Sequence, residues 1–220
     1  MDDPGCDQTK LHATYRRFDR INRLVAGWRR IYRRYLRPRL QARGAATLVD
    51  IGAGGCDVIL RLRQWALRDK LSLSVTALDP DPRVAEYLKL HPLPSDVRFL
   101  PVKPGALLRA GERFDFVISN HLLHHLHDAE IPRLCSESSA LARHLVLHND
   151  IARNPVAYQV FRLTRPFFRG SFITEDGLTS IRRSFTASEL SALAPKGWRV
   201  TRMAPYRTLL IFEAAGDGGQ

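Results

Sequence analysis

Hydrophobic residues recur every three or four positions along the first part of the chain, and this spacing predicts an amphipathic helix over residues 9–43. The apolar positions are Leu11, Tyr15, Phe18, Ile21, Val25, Trp28, Tyr32 and Tyr35. Pro38 and Gly44 are expected to kink or end the helix. The pattern therefore predicts an N-terminal helical cap, residues 1–44.

Three roles are compatible with this cap. It can pack its aromatic stripe on the rest of the protein as a structural element, or act as a lid whose aromatic side chains wall a substrate pocket. Its arginines also form a basic amphipathic pattern, which is typical of a helix that lies on a membrane surface. These arginines are Arg16, Arg17, Arg20, Arg29, Arg30, Arg33 and Arg34.

From Thr47 onward, short runs of β-favouring residues alternate with helical stretches, which is typical of parallel βαβ units. The predicted strands are 47–51, 72–78, 97–100, 114–119 and 144–148. The predicted helices are 57–68, 82–90, 105–110 and 129–142. Asp81 followed by Pro82 favours a helix start, because aspartate caps the first turn and proline suits its first position. The pattern predicts an α/β domain over residues 45–215.

The alternation stops after Asn149. Residues 150–185 are rich in aromatic residues and arginine, and we interpret them as an insertion that shapes a substrate pocket. Residues 216–220 are predicted to be a loose tail.

Two further elements are predicted near the end of the chain. Thr186 and Glu189 have the spacing of a capping box, which predicts a helix that ends near Gly197. The runs 198–204 and 208–214 predict a terminal antiparallel hairpin.

Composition narrows the class of protein. With 45% hydrophobic and 25% charged residues, the 220-residue chain falls in the ordinary globular range, so disorder throughout is excluded. The net charge of +12 makes nucleic acid, anionic lipid or an acidic substrate physical candidates for partners. Most of the positive charge comes from arginine. A basic surface that faces solvent, without a specific partner, also explains this charge.

The location of the protein is predicted to be cytoplasmic. No apolar run approaches the roughly 20 residues that cross a bilayer, and the first residues are acidic and polar. Cys6, Cys56 and Cys135 are odd in number and form no C-x-x-C pair, so neither a disulfide framework nor a thiolate metal site is expected.

The run 48–57, LVDIGAGGCD, carries an apolar strand into a glycine turn and then into a predicted helix. At such a turn a ligand can approach the backbone where a side chain would clash, and Gly52 and Gly54 are predicted to serve this role. A dinucleotide fingerprint would need glycine at Asp57, and the chain has no G-K-[ST] of a P-loop. Hydride transfer and ATP hydrolysis are therefore disfavoured.

Asp79 closes the next predicted strand, one βα unit after the glycine turn. In Rossmann-type sites a carboxylate at this position accepts hydrogen bonds from both ribose hydroxyls. Asp79 is therefore predicted to bind a nucleoside. The alternative is that Asp79, Pro80 and Asp81 form only a turn and a helix cap.

On these residues the chain resembles class I S-adenosylmethionine-dependent methyltransferases. Asp50, Gly52 and Gly54 match the acidic residue and spaced glycines of their first motif, and Asp79 matches the acidic residue after the second strand. The run 114–120, FDFVISN, is similar to their fourth-strand motif. Leu123-His124-His125-Leu126 is similar to the histidine-containing segment of quinone-biosynthesis members.

The resemblance covers residues 46–149 and implies a Rossmann-like, seven-stranded, mostly parallel sheet with an antiparallel last strand. It implies S-adenosyl-L-methionine as cofactor, S-adenosyl-L-homocysteine as product, and no metal. The cofactor-binding residues it implies are Asp50, Gly52, Gly54, Asp57, Asp79, Pro80 and Asn120. Two departures stand out: Cys56 replaces a third glycine, and Val102-Lys103-Pro104 stands where members often place an acidic or small residue.

Candidate catalytic residues follow the predicted fourth and fifth strands, because the acceptor meets the methyl donor at the carboxyl edge of the sheet. Imidazole titrates near neutrality and can accept a phenol or hydroxyl proton. His121 and His148 are the leading candidate bases, and His125 is a further one. Structural roles remain open for the histidine cluster, and a metal site there is disfavoured because no paired cysteines or acidic triplet accompany it.

The sequence thus predicts a methyltransferase for a small aromatic or phenolic acceptor, most simply an O-methyltransferase. Segments 148–153, 176–177 and 180–185 are similar to small bacterial methyltransferases of polyketide and quinone-like natural products. One alternative is an RNA methyltransferase whose basic N-terminal helix tracks phosphates, although residues 119–122 lack the proline-proline-aromatic signature of base methylation. Another is a non-catalytic adenosylmethionine-binding module. A monomer and a homodimer are both compatible with the sequence.

Overall fold

A sheet of seven strands forms the centre of the computed structural model, which describes Thr14 and residues 25–163 and 173–214. In chain order the strands are β1 (Ala45–Ile51), β2 (Ser72–Leu78), β3 (Val97–Leu100), β4 (Phe114–Asn120), β5 (Ala142–Ile151), β6 (Trp198–Met203) and β7 (Arg207–Glu213). Across the sheet the order is β3-β2-β1-β4-β5-β7-β6. The pairs from β3 to β5 are parallel, and β7 is antiparallel to both neighbours. The predicted Rossmann-like sheet with its antiparallel last strand is confirmed.

Helices connect the strands and pack on both faces of the sheet. Those that the structure describes are α1 (Trp28–Ile31), α2 (Arg37–Arg43), α3 (Asp57–Arg68), α4 (Pro82–Leu90), α5 (Pro104–Arg109), α6 (Glu130–Leu141), α7 (Pro155–Leu163), α8 (Ile173–Arg183) and α9 (Ala187–Leu193). A π-helical turn, Tyr32–Leu36, joins α1 to α2, and a 3-10 turn, Leu123–His125, follows β4. The predicted α3 and α4 agree with the structure at both ends.

Two hydrophobic clusters lie on opposite faces of the sheet. Along β5, Leu145 and Leu147 belong to the cluster that includes the N-terminal cap, whereas Val146 belongs to the cluster under α6 and α9. Successive side chains of a strand point to opposite faces, so both faces are buried, as in other mostly parallel sheets. This alternation decides which polar residues at the strand ends face the cap.

The N-terminal cap differs from the continuous helix that the periodicity predicts. Gly27 interrupts the helix with a left-handed conformation, φ 68°, which glycine adopts without steric cost, and precedes α1. The side chain of Met203 packs against it, so that a Cβ there would lie 2.5 Å from Met203 Cε. Pro38 does not end the helix. The π-helical turn just before α2 accommodates the proline, and Gly44 ends α2 with φ 74°.

The capping box and the terminal hairpin are both present. Thr186 caps α9, and the Glu189 side chain bonds back to the Thr186 backbone. The helix ends at Leu193, earlier than the predicted end near Gly197. Pro195 is the reason, because a residue that precedes proline favours extended backbone, and Ala194 has ψ 130°.

Several predictions concern residues outside those that the structure describes. These residues are Cys6, Leu11, Tyr15, Arg16, Arg17, Phe18, Arg20, Ile21, Phe167, Phe168, Phe172 and the tail 216–220. Within the described ranges, Cys56 and Cys135 are free buried thiols. In residues 25–163 and 173–214, no helix combines the length and the apolar character needed to cross a bilayer.

Candidate active site

The glycine turn joins β1 to α3 at the carboxyl edge of the sheet. Gly52 and Gly54 have φ of 72° and 49°, a backbone conformation that favours glycine. The Gly52 and Ala53 amides donate to the Leu78 carbonyl at 2.8 and 3.0 Å, which ties the turn to the end of β2. A Cβ on Gly54 would meet no atom within 4 Å, whereas one on Gly52 would lie 3.2 Å from Leu122 Cδ1. The backbone at Gly54 is therefore open to a ligand.

Asp79 lies beside this turn, at the end of β2. One carboxylate oxygen accepts a hydrogen bond from the Gly54 amide at 2.9 Å, and the other accepts one from the Asp81 amide at 3.0 Å. Burial raises the pKa of Asp79 above its ordinary value, although both amide bonds favour the charged form. Asp81 itself caps α4 by accepting from the Arg83 amide at 2.9 Å, and Pro80 is exposed. The turn-and-cap role thus belongs mainly to Asp81.

Three carboxyl groups lie close together around the turn. Asp50 is buried on β1, and its Oδ1 accepts no hydrogen bond from the described residues. Burial, followed by the charges of Asp57 and Asp79, raises the pKa of Asp50 well above the usual range. Because like charges repel in such an environment, this group of carboxyls favours a cationic ligand.

Cys56 stands where many class I methyltransferases carry a third glycine. Its φ of 62° is left-handed, the conformation that glycine adopts without steric cost. The Cys56 amide donates to the Ala53 carbonyl at 2.8 Å, which closes the turn before α3. Burial raises the pKa of this thiol. The departure from the family motif therefore keeps the shape of the turn.

A second polar cluster lies at the ends of β4 and β5, on the face of the cap. The side-chain oxygen of Asn120 accepts hydrogen bonds from Trp28 Nε1 at 3.0 Å, Arg207 Nη2 at 3.0 Å and Asn149 Nδ2 at 3.2 Å. Asn149 Nδ2 also donates to the Ala26 carbonyl at 2.8 Å. We call Trp28, Asn120, Asn149 and Arg207 the cap-side network. It fixes the cap to the strand ends.

Arg207 is the only charged member of the cap-side network. It is buried, and its Nε donates to Asn149 Oδ1 at 3.1 Å. Burial lowers the pKa of Arg207 to about 10, while the Asp150 charge opposes this shift. Its Nη1 lies 3.2 Å from His121 Nε2. Because guanidinium only donates, His121 Nε2 must accept this bond.

His121 is held in a neutral form by this arrangement. It follows β4 with a left-handed φ of 59°. Burial, and then the Arg207 charge, lowers the pKa of His121 well below its usual value. Its Nε2 lone pair faces a permanent donor, so this nitrogen is poorly placed to accept a proton from an acceptor molecule.

His124 and Asp150 form a buried pair next to His121. His124 Nδ1 lies 2.8 Å from Asp150 Oδ1, and the His124 amide donates to Asp150 Oδ2 at 3.0 Å. Burial alone would raise the pKa of Asp150, but the neighbouring His124, His121 and Arg207 hold it below its ordinary value. An ionised Asp150 fixes the proton of His124 on Nδ1, which leaves the lone pair on Nε2.

The other two candidate bases lie in different surroundings. His148 is fully buried on β5, with Nδ1 2.8 Å from Ser119 Oγ and its ring stacked on Trp198 at 5.6 Å. Burial lowers the pKa of His148 to about 3. His125 is exposed, and its ring centre lies 4.2 Å from that of His124.

The spacing of His121, His124 and Asp150 also matches that of metal ligands, since one atom of each lies within 4.8 Å of the others. One ring nitrogen of each histidine already has a partner: His124 Nδ1 bonds to Asp150, and His121 Nε2 bonds to Arg207. The fixed charge of Arg207 opposes a second cation nearby. The geometry favours a hydrogen-bonded cluster over a metal centre.

Asp150 and Arg207 were not predicted as site residues, and Trp28 was predicted only as one of the apolar positions of the cap. Arg153, which lies near Asp150 in sequence, pairs with Glu189. The alternation of β5 places Asp150 and Asn149 on opposite faces. Arg207 reaches the site because β7 pairs antiparallel to β5, with Arg207 opposite Ile151. No local pattern indicates this pairing.

Comparison with known proteins gives one family match, in the central part of the chain. Residues 48–144 match a family model described as a methyltransferase domain. No curated protein sequence matches the chain.

Solved structures share the fold at low sequence identity. Human N-acetylserotonin methyltransferase, solved with S-adenosylmethionine, is similar over 94% of this chain with 12% identity and a TM-score of 0.62. An O-methyltransferase family protein from Burkholderia thailandensis is similar over 93% with 16% identity and a TM-score of 0.62. Mitomycin 7-O-methyltransferase MmcR is similar over 96% with 21% identity and a TM-score of 0.59.

The chain spans only 56%, 59% and 62% of the lengths of these three proteins. The likeness to them is therefore one of fold. Residues 48–144, which match the methyltransferase domain, contain the glycine turn, Asp79, most of β1 and all of β2 to β4, so this match agrees with the strand order of the sheet.

Proposed function

We propose that this chain is a class I S-adenosylmethionine-dependent methyltransferase that methylates a hydroxyl group on a small aromatic acceptor, with the His124–Asp150 pair accepting the hydroxyl proton. The observation that carries the proposal is the buried 2.8 Å contact between His124 Nδ1 and Asp150 Oδ1, at the strand ends where class I enzymes bring acceptor and donor together. A base is of use to a hydroxyl acceptor, because the oxygen loses its proton on methylation.

The cofactor fits the residues around the glycine turn. S-adenosylmethionine, when bound, supplies an activated methyl group on a positively charged sulfonium. Asp79 is the carboxylate for the two ribose hydroxyls, and the open backbone at Gly54 admits the nucleoside. Burial and the charges of Asp57 and Asp79 raise the pKa of Asp50, and a cationic ligand beside these carboxyl groups would favour their charged forms. Gly52 and Pro80 shape the turn and the following loop.

For Asn120 we propose a role other than the direct cofactor contact that the family resemblance implies. Its side-chain oxygen is committed to three donors of the cap-side network. We propose that Asn120 positions Trp28 and Arg207 at the acceptor end of the crevice. His121, neutral and bonded to Arg207, then orients the acceptor and does not remove its proton.

The base mechanism depends on the ionised Asp150. It holds His124 in the tautomer whose Nε2 can accept a proton, and it stabilises the imidazolium that forms. General-base catalysis of this kind contributes about 10²–10⁴-fold to a rate. Alignment of the acceptor with the methyl group supplies most of the remaining acceleration.

The acceptor class is supported by the residues near this end of the crevice. Trp28 donates a hydrogen bond to Asn120 at the strand ends, and α7, which follows β5 after residues 152–154, carries Tyr158 and Phe161, whose rings contact α8. The O-methyltransferases among the solved structures of similar fold include an enzyme for mitomycin, a small molecule. An aromatic ring would bury well against such side chains.

The test is a survey of acceptors with the purified full chain. Phenols, catechols and hydroxyquinones are incubated with S-adenosylmethionine, and S-adenosylhomocysteine and the methylated product are measured by mass spectrometry. The proposal expects an O-methylated aromatic product. Turnover only on RNA would overturn it in favour of a nucleic-acid enzyme. Tight cofactor binding with no turnover on any substrate class would favour a non-catalytic module.

A further inference from the structure

Helix α7 presents an apolar stripe to solvent. Val156, Val160 and Leu163 are 56%, 54% and 72% exposed. They follow one another at spacings of four and three residues, so they lie within an arc of about 60° on the helix. Only four other large hydrophobic side chains of the described residues reach comparable exposure, and no two of these belong to one helix.

The opposite face of α7 is packed on the protein. Ala157 is buried, and the Phe161 ring lies directly against Gly177 of α8, where no Cβ would fit. The Arg182 guanidinium of α8 lies 5.8 Å from the centre of the Tyr158 ring. These contacts fix the orientation of α7, so the stripe is held outward.

The segment that carries the stripe is basic in sequence: between Ile151 and Thr174 it contains four arginines and no aspartate or glutamate. Of the described arginines, Arg153 pairs with Glu189, whereas Arg162 is exposed on α7 itself, next to Leu163. An apolar stripe beside an exposed arginine, on a basic segment, is complementary to a surface of anionic lipid, where aliphatic side chains enter the acyl boundary and arginine meets the headgroup phosphates.

We propose that Val156, Val160 and Leu163 dock this enzyme on an anionic membrane surface. Asp150 and the start of α7 are separated by four residues, so docking brings the acceptor end of the crevice close to the lipid. The last step of this proposal rests on the proposed function and extends it: the aromatic acceptor carries a lipophilic chain and reaches the site from the membrane.

Vesicle binding of the full chain tests the docking without any substrate. Co-sedimentation is measured with phosphatidylcholine vesicles and with vesicles that also contain phosphatidylglycerol. We expect binding to the anionic vesicles that weakens with added salt. The double substitution Val160→Glu with Leu163→Glu should lower the partition coefficient by about tenfold or more, since it replaces two inserted side chains by charges.

The matched control places the same charges elsewhere. Leu67 and Leu90, 55% and 67% exposed at the ends of α3 and α4, are replaced together by glutamate, and this variant should retain most of the vesicle binding. Thermal unfolding and S-adenosylhomocysteine affinity report whether each variant remains folded.

Equal binding by the Val160/Leu163 and Leu67/Leu90 variants would overturn the proposal. A wild-type protein that does not bind anionic vesicles would also overturn the proposal. A dimer that the Val160/Leu163 variant disrupts in light scattering, without vesicle binding, would assign the stripe to a second copy of the chain. Because these assays contain no acceptor, their failure leaves the methyl-transfer proposal standing, and the acceptor survey tests that separately.

Discussion

The Asp79 carboxylate accepts a 2.9 Å hydrogen bond from the Gly54 amide, and this bond connects the end of β2 to the turn that follows β1. The same carboxylate is the predicted ribose ligand. Cofactor binding and the shape of the turn are therefore both expected to depend on Asp79, and variants of this residue must separate the two contributions.

Asp79→Asn is expected to weaken S-adenosylmethionine binding by about tenfold or more, a loss of about 1.4 kcal/mol. Asparagine keeps an oxygen for the Gly54 amide but loses the charge that accepts both ribose hydroxyls. Asp79→Ala should weaken binding further and also lower stability, since it leaves two amides without their acceptor. Calorimetric titration measures the affinities. Asp96→Asn, which removes a surface partner of Arg63, is the control, and unchanged affinity in Asp79→Asn would contradict the assignment.

Cofactor affinity should fall on acidification. Burial raises the pKa of Asp79 and of Asp50 above 3.8, so each binds a proton at a higher pH than an ordinary aspartate. Protonation removes the negative charge that the cationic cofactor requires. Affinity is therefore greatest above the raised pKa values and is lost as the pH falls through them.

In the cofactor-free protein, Asp79 and Asp50 should make the opposite contribution: the folded state should gain stability from them as the pH falls. A raised folded-state pKa means that protonation favours the folded over the unfolded chain, so their contribution to stability decreases as pH rises. Thermal unfolding with and without S-adenosylmethionine across pH measures both effects. The increase in Tm on binding should shrink at low pH, and a pH-independent increase would argue against the carboxyl cluster.

Replacement of His124 by glutamine should lower kcat by about 10²–10⁴-fold with little change in cofactor affinity. Asp150→Asn should act in the same direction, because the neutral amide no longer fixes the tautomer of His124. His125→Gln, a change of the same type at the exposed neighbour, serves as control and should remain active. Loss of activity only in the His125 or His148 variants would assign the base to those sequence-predicted residues instead.

Gly27→Ala should destabilise the protein by about 1–3 kcal/mol. A non-glycine residue with a left-handed backbone costs about 1–2 kcal/mol, and the new Cβ would lie 2.5 Å from Met203 Cε. The double variant with Met203→Ala removes this overlap but not the backbone cost. Chemical denaturation should therefore show that Met203→Ala is less damaging in the Gly27→Ala background than in the wild type. Simple additivity of the two changes would exclude the contact as a cause.

The strands and helices around the cofactor could be predicted because their signals are local. Periodicity gave β2, β3, α3 and α4 at their observed bounds, and Asp81-Pro82 marks the start of α4 through its own capping chemistry. The contact between Gly54 and Asp79 could also be predicted, since one right-handed crossover brings the ends of two adjacent parallel strands together.

The acceptor end could not be predicted in the same way. β5 is buried on both faces, so its sequence does not indicate that His148 points toward Trp198 while Asn149 points toward the cap. Arg207 reaches the acceptor end because β7 pairs with β5, and its hydrogen-bond partner Asn149 lies 58 residues earlier in the sequence. Gly27 breaks the helix with a left-handed conformation, which the hydrophobic periodicity does not indicate.

Residues 48–144, which match the methyltransferase family, end before Asn149 and Asp150, and Trp28 and Arg207 also lie outside them. As we propose it, the acceptor end combines Asn120, His121 and His124 of the matched stretch with three short stretches outside it, whereas Asp50, Gly54 and Asp79 all lie within the matched stretch. An engineer could exchange the three outer stretches to alter acceptor choice while leaving the proposed donor residues intact.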